Sequence, residues 1–275
     1  MNKYSSAQID TAPSLTGRAG GESSIIKVGG AVVEDPVQLS ILLDEFVKIE
    51  GPKVLVHGGG RTATNLAKQL GIESKMVGGR RITDAETLRI VTMVYGGLVN
   101  KNIVAQLQAR GVNALGLTGA DMNIVHAHRR PITPEGIDFG FVGDVDGADG
   151  AKLLQLLQMG ITPVIAPLTH DGQGHMLNIN ADTMAQTVAT SLSSSLSIAL
   201  TYCFELPGVL RDPADPSTLI SHITESDFQA LVADGTISGG MIPKLENAFA
   251  ALRAGVSSVR ITNISNLQGG TIITL

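Results

Sequence analysis

Cysteine is almost absent from this chain. Cys203 is the one thiol in 275 residues, so no disulfide can form within it. That excludes a disulfide-stapled scaffold and fits a reducing cytoplasm. Cys203 lies in the apolar run SIALTYCF, where an inert buried thiol is expected over a reactive one. Long apolar stretches are missing too, which excludes a membrane-spanning helix. Basic residues are scattered and the net charge is −5, so there is no stripe to track a nucleic-acid backbone. Residues 1–24, MNKYSSAQIDTAPSLTGRAGGESS, lack the apolar centre of a signal peptide and read as a flexible arm outside the fold.

Several familiar site motifs are absent as well. No G-x-x-x-x-G-K-[ST] cradle occurs. No G-x-G-x-x-G follows the first strand, and HGGGRTAT offers Thr62-Ala63 where the third glycine belongs. The chain has no G-x-S-x-G elbow for serine chemistry. His126 and His128 alternate on a predicted strand but have no further ligands at zinc spacing, so no metal site is assigned. His57 reads as a packed or backbone-bonded residue rather than a base.

What is present is a regular alternation of strand and helix from Ser24 onward. IIKV (25–28) and VLVH (54–57) are apolar strands that run into glycines. Between them, Asp35 and Pro36 open a helix that Gly51 closes. TDAETLRIVTMVYGGLVNKNIVAQLQARG predicts one long helix, with a capping-box pattern at Thr83 and Glu86 and a weak point at Gly96-Gly97. The segment from Ile124 to Val145 reads as a β-hairpin around Pro-Glu-Gly. NADTMAQTVATSL is a helix capped by Asn180, IALTYCF a strand, and two further helices and two strands close the chain. This order argues an α/β fold with a mostly parallel sheet covered by helices on both faces.

Gly29-Gly30 and Gly58-Gly59-Gly60 each follow a strand end, where glycine lets backbone N–H groups approach an anion. A tight turn explains either one alone; two at consecutive strand ends favour a ligand. Lys27 sits inside the apolar strand IIKVGG, either as an edge lysine with its head in water or as a cation for a phosphate. Lys244, one turn into the helix after SGG, is either a surface lysine or a second such cation. In NINAD, the cap needs only Asn180, which leaves Asn178 and Asp182 for other work.

IIKVGG, VLVHGGG, GRRIT, LNINAD and GGMIPK occur in an order and at a spacing that resemble the amino-acid kinase family, over residues 25 to about 274. The resemblance implies a three-layer αβα sandwich around a mainly parallel sheet. It implies an amino-terminal lobe, 25–177, for an acylated amino acid and for dimerisation, and a carboxyl-terminal lobe, 178–275, for ATP. The implied reaction moves the γ-phosphoryl group of ATP, with Mg²⁺, to the side-chain carboxylate of N-acetyl-L-glutamate, a step of arginine biosynthesis.

On matching positions, Lys27 and Lys244 would stabilise the transferring phosphoryl group and Asp182 would orient both lysines. Gly29, Gly30 and Gly59 would donate N–H groups to it. Gly59, Gly60, Arg81 and Asn178 would hold the amino-acid substrate. Glu205, Gly208, Gly240 and Met241 are assigned to the nucleotide side. A carboxylate nucleophile is already ionised at neutral pH, which agrees with the lack of a candidate base.

One departure falls in the nucleotide lobe, where CFELPGVL stands in place of the family's T-D-V-x-G-V and Glu205 is nearest to its Asp. The arm shows no amphipathic helix of the kind arginine-inhibited hexamers use, so a homodimer without arginine feedback is expected. N-succinylglutamate stays open as substrate, with Arg80, Arg129 and Arg130 as candidate cations for its extra carboxylate. Other acceptors such as aspartate, glutamate or carbamate, and a non-catalytic sensor of the same fold, are the remaining alternatives.

Overall fold

In the computed structural model, residues 22–78, 80–239 and 241–275 are described. The chain opens with β1 (Ser23–Val28), a one-turn helix α1 (Gly30–Glu34), α2 (Pro36–Lys48), β2 (Lys53–His57) and α3 (Gly60–Gln69). A short hairpin, β3 (Met76–Val77) and β4 (Arg80–Arg81), precedes α4 (Ala85–Val91). That helix continues through a π-helical stretch, Thr92–Val99, into α5 (Asn100–Ala109). β5 (Ala114–Leu117), β6 (Val125–Arg129), β7 (Gly143–Ala148), α6 (Gly150–Gln158), β8 (Thr162–Ile165), β9 (Leu168–His170) and β10 (Met176–Asn178) follow. The rest is α7 (Ala181–Ser193), β11 (Ile198–Phe204), β12 (His222–Ile223), α8 (Glu225–Ala233), α9 (Met241–Arg253), β13 (Ser258–Asn263) and β14 (Thr271–Ile273).

Eight strands form the central sheet in the order β12-β14-β13-β11-β1-β2-β8-β5. All neighbours pair parallel except β13 with β14. Side chains of a strand alternate between faces, and the sequence uses this. Ile25, Val54, Val56 and Leu200 pack with α6, α7 and α9 on one side. Ile26, Val28 and Leu55 pack with α2, α3, α4 and α5 on the other. The result is the expected three-layer αβα sandwich. Phe46 of α2 and Phe249 of α9 are among the largest fully buried side chains, one in each helical layer. Each contributes about 1.5–3 kcal/mol from burial. The predicted hairpin is β6 paired antiparallel with β7.

Four differences from the sequence reading have local causes. β1 begins at Ser23, not after Ser24, because Ser23 N donates to Ser197 O and the strand gains pairing to β11. The remainder of the expected arm, 1–21, lies outside the described residues. Asp84 rather than Thr83 caps α4, its side chain accepting from Thr87 N at 2.8 Å. Thr83 is instead fully buried and spent on tertiary contacts. The weak point at Gly96-Gly97 is a widening of the helix to π geometry and not a break. α1 is too short for any periodicity to announce it.

Candidate active site

The site begins where β1 and β2 end side by side. Gly58 N donates to Val28 O at 3.0 Å, which holds the two glycine turns together. They touch backbone to backbone. A Cβ on Gly30 would stand 3.2 Å from Gly60 N and 3.3 Å from Gly59 N, and one on Gly58 would stand 3.0 Å from Gly30 N. Gly59 is also closed by a ring, since a Cβ there would meet Tyr95 Cδ1 at 2.9 Å. Around Gly29 nothing of the protein lies within 4 Å of such an atom, so that N-cap of α1 faces open space.

Behind the turns lies a buried polar brace. His57 is fully buried, with Nδ1 2.8 Å from Gly58 O and Nε2 3.1 Å from Asn100 Nδ2. The Asn100 amide also donates to Val164 O at 2.9 Å. An amide donor on Nε2 leaves the His57 proton on Nδ1, pointing at Gly58 O. Burial pulls the His57 pKa down to about 4. The imidazole is thus neutral at pH 7 and holds the turn; it is no base.

Lys27 is buried on an interior strand, which removes the edge-lysine reading. By alternation it points toward α7, and its Nζ lies 2.8 Å from Asp182 Oδ1. Asp182 Oδ1 is buried and has no directed hydrogen bond, so the contact with Lys27 is ionic in character rather than a well-aligned bond. Asp182 is placed by its helix. Asn180 caps α7, accepting from Asp182 N at 2.8 Å and Thr183 N at 3.1 Å. Lys244 comes from α9. Its ammonium sits 3.9 Å from the centre of the Phe204 ring, and that of Lys27 sits 5.7 Å from it. Burial lowers the Lys244 pKa; Asp182 opposes this and Lys27 adds to it.

Two cavities meet here. The larger, about 750 Å³, is lined by Gly208, Phe204, Glu205, Met241, Lys244 and Ile261 among others. The smaller, about 320 Å³, includes Lys27, Gly59, Tyr95, Asn178 and Asp182. Gly29, Gly30, Gly60 and Arg81 line both. The residues assigned to the phosphoryl group, the amino-acid substrate and the nucleotide side therefore each border one cavity or both, except Gly240, which lies outside the described residues. Gly208 is closely covered, since a Cβ there would stand 2.6 Å from Leu219 Cδ1 and 2.7 Å from Thr271 Oγ1.

Arg81 lies across the start of α3. It donates to Gly60 O, Thr64 Oγ1 and Ser74 Oγ, each at 2.8 Å. A guanidinium has five N–H donors, so the fork retains hydrogens for a ligand. Asn178 donates to Thr83 Oγ1 at 3.0 Å, which explains why Thr83 is buried. Of the three arginines considered for an extra carboxylate, Arg80 and Arg130 line the smaller cavity and Arg129 does not. Arg130 is bonded through Nε to both Asp144 oxygens at 3.0 and 3.2 Å. Arg129 is held by Asp138 and Gly140 O.

Sequence reasoning missed Tyr95 and Phe204. The alternation of IALTYCF puts Phe204 on the face of Tyr202, the register partner of Lys27, and this signal was available. Tyr95 had none, because the π geometry that aims it is not encoded by a helical period. Cys203 is buried and its pKa is pushed up to about 12, as befits an inert thiol. His128 pairs with Asp146 at 2.7 Å. Among the described residues no cluster of three or more His, Cys, Asp or Glu could hold a metal, and no helix is long and apolar enough to cross a membrane.

Residues 23–263 match the amino acid kinase family. The chain belongs to this family. Curated relatives named acetylglutamate kinase are similar along nearly their whole length. One from Bacteroides fragilis is 60% identical over 252 residues, covering 91% of this chain and 96% of its own. Another, from Bacteroides thetaiotaomicron, is 61% identical over 245 residues, covering 89% and 95%. Among solved structures, a protein of Streptococcus mutans UA159 is 30% identical with a TM-score of 0.71, covering 92% of this chain and 98% of its own. Carbamate kinase from Giardia lamblia bound to AMP-PNP, at 16% identity and a TM-score of 0.64, shares the fold.

Proposed function

We propose that the chain is an acetylglutamate kinase, transferring the γ-phosphoryl group of ATP to the side-chain carboxylate of N-acetyl-L-glutamate in arginine biosynthesis. The observation that carries this is the seam between the cavities, where Lys27, Lys244 and the two glycine turns converge on one place. ATP fits the larger cavity, beside Glu205, Gly208 and Met241. The acylated amino acid fits the smaller, where Arg81 keeps its Nε and one Nη1 hydrogen for the α-carboxylate and Asn178 can bond the backbone amide.

The reaction brings two anions together, so its barrier is largely electrostatic. The side-chain carboxylate is ionised and needs no base. Its oxygen forms a bond to the γ-phosphorus as the bond to the β,γ-bridging oxygen breaks, and ADP leaves with that electron pair. Lys27 and Lys244 neutralise charge on the moving phosphoryl oxygens, and the N–H groups of Gly29, Gly30 and Gly59 supply fixed dipoles. Asp182 holds Lys27 in place. Magnesium takes oxygen ligands, and of the Asp182 carboxylate it would be Oδ2 that could hold it, since Oδ1 faces the Lys27 ammonium at 2.8 Å. Carried on the nucleotide, Mg²⁺ supplies further charge neutralisation.

Two halves of the sheet support the assignment of two lobes. Strands β1, β2, β8 and β5 carry the amino-acid side, and β11, β13, β14 and β12 the nucleotide side. A homodimer fits the exposed Met93 and Leu98 on the long helix. Sedimentation as a dimer is expected; a hexamer or a monomer contradicts it.

The test is ATP-dependent acyl-phosphate formation trapped as hydroxamate, run on N-acetylglutamate, N-succinylglutamate, glutamate and aspartate. Turnover is expected on N-acetylglutamate. Preference for the succinylated substrate would move the reading to a pocket in which Arg80 meets the added carboxylate. Silence on all four from protein that binds ATP would leave a sensor.

A further inference from the structure

Phe204 has no role in the mechanism above, although its ring lies under the Lys244 ammonium. Phe204 ends β11 on the face it shares with Tyr202, and the two rings stack with centroids 6.2 Å apart and planes 14° from parallel. Tyr202 is buried, so the stack has a fixed base. Lys244 Nζ stands 3.9 Å from the Phe204 centroid. Lys27 has a carboxylate at 2.8 Å, whereas among the described residues Lys244 has none within ion-pair distance. The ring borders the larger cavity beside Lys244 and Glu205.

A cation over an aromatic face is attracted by the ring quadrupole, and more strongly where water is partly excluded. The lysine stem is long and flexible, and fixing it in one rotamer costs entropy. A ring beneath the ammonium offsets that cost before the nucleotide arrives. It does so without neutralising the charge, as a carboxylate partner would. Lys27, by contrast, already has its carboxylate partner in Asp182.

We propose that Phe204 is a positioning residue for phosphoryl transfer, its π-face seating the Lys244 ammonium at the seam between the two cavities. The inference rests on the kinase reading above. It assigns the ring to the transfer step rather than to ground-state binding. A leucine would fill similar space yet lack the quadrupole; a tyrosine would keep it.

The experiment measures kcat and KM by hydroxamate formation for the wild type, Phe204→Leu, Phe204→Tyr, and enzyme carrying phenylalanine with increasing ring fluorination at position 204. Fluorine drains the π-face while nearly preserving shape, so this series stays informative if Phe204→Leu fails to fold. Phe204→Leu is expected to lower kcat about tenfold with KM for MgATP changed less than about twofold. Phe204→Tyr should recover most of the loss, and kcat should fall stepwise with each added fluorine. A flat fluorine series, or Phe204→Leu at the wild-type kcat, overturns the proposal. A wild type that forms no hydroxamate overturns the kinase reading, and the role of Phe204 falls with it.

Discussion

A lysine and a histidine show how burial sets the work of single residues here. Lys27 is buried on an interior strand, and Asp182 at 2.8 Å makes the charge tolerable. Lys27→Ala should lower kcat on the order of 100-fold to 1000-fold, the scale of a lost transition-state donor. Circular dichroism should show the fold retained, and unchanged steady-state kinetics would remove Lys27 from the mechanism. His57 makes a prediction about pH. Its pKa is about 4 in the fold, against about 6.5 for a free imidazole. Between those values the unfolded chain binds a proton that the native state refuses. The stabilisation is full above pH 6.5 and is lost as pH falls toward 4, at most about 3 kcal/mol. Thermal melts of the wild type should therefore weaken across that window, and His57→Gln should flatten the dependence. An identical slope in both would contradict the assignment. The neutral brace was half legible in the sequence. His57 could be read as packed or backbone-bonded, but its partner Asn100 lies 43 residues away and comes near only through the fold.

At the scale of elements, strand alternation and helix caps position the chemistry, and the long helix supplies its wall. The π stretch Thr92–Val99 carries Tyr95 onto Gly59. Gly59→Ala would drive a methyl to 2.9 Å from the ring, so the ring or the turn must move. The expected result is a higher KM for the acylated amino acid with ATP binding nearly intact; equal shifts in both would place the damage elsewhere. At the start of the same helix, Asp84→Ala removes the cap and should cost about 1 kcal/mol, read as a fall in Tm of about 2–4 °C. Thr83→Ala should behave differently, because Thr83 Oγ1 accepts from Asn178 and its loss should raise the substrate KM. Helix caps are local and largely readable from sequence: Asp35 and Asn180 are where the pattern puts them. The exchange of Thr83 for Asp84 shows the limit. Both can cap, and a tertiary contact with Asn178 decides which is free to do so.

The whole molecule places a seam lined by glycines and lysines at one end of a mostly parallel sheet, where strand ends and helix starts bring N–H groups together, an arrangement suited to an anion. Alternation of strand and helix made the αβα sandwich legible, and five short motifs made the lysines and glycine turns that meet between the cavities legible. What could not be read was the division of labour along β11. From the sequence, the CFELPGVL turn looked like a departure centred on Glu205. In the structure Phe204, one residue earlier, holds the contact with Lys244. Such a contact joins β11 to α9 across 40 residues and leaves no mark in either segment alone. The central claim is that an ionised carboxylate attacks the γ-phosphorus at this seam without a base. Its most direct test uses N-acetylglutamate labelled with ¹⁸O in the side-chain carboxylate. After turnover with MgATP, hydroxylamine cleaves the acyl phosphate at its carbonyl carbon, and ³¹P NMR reads the phosphate released. Phosphate carrying one ¹⁸O is the predicted result. Unlabelled phosphate, or none above the rate of ATP hydrolysis alone, would contradict the account.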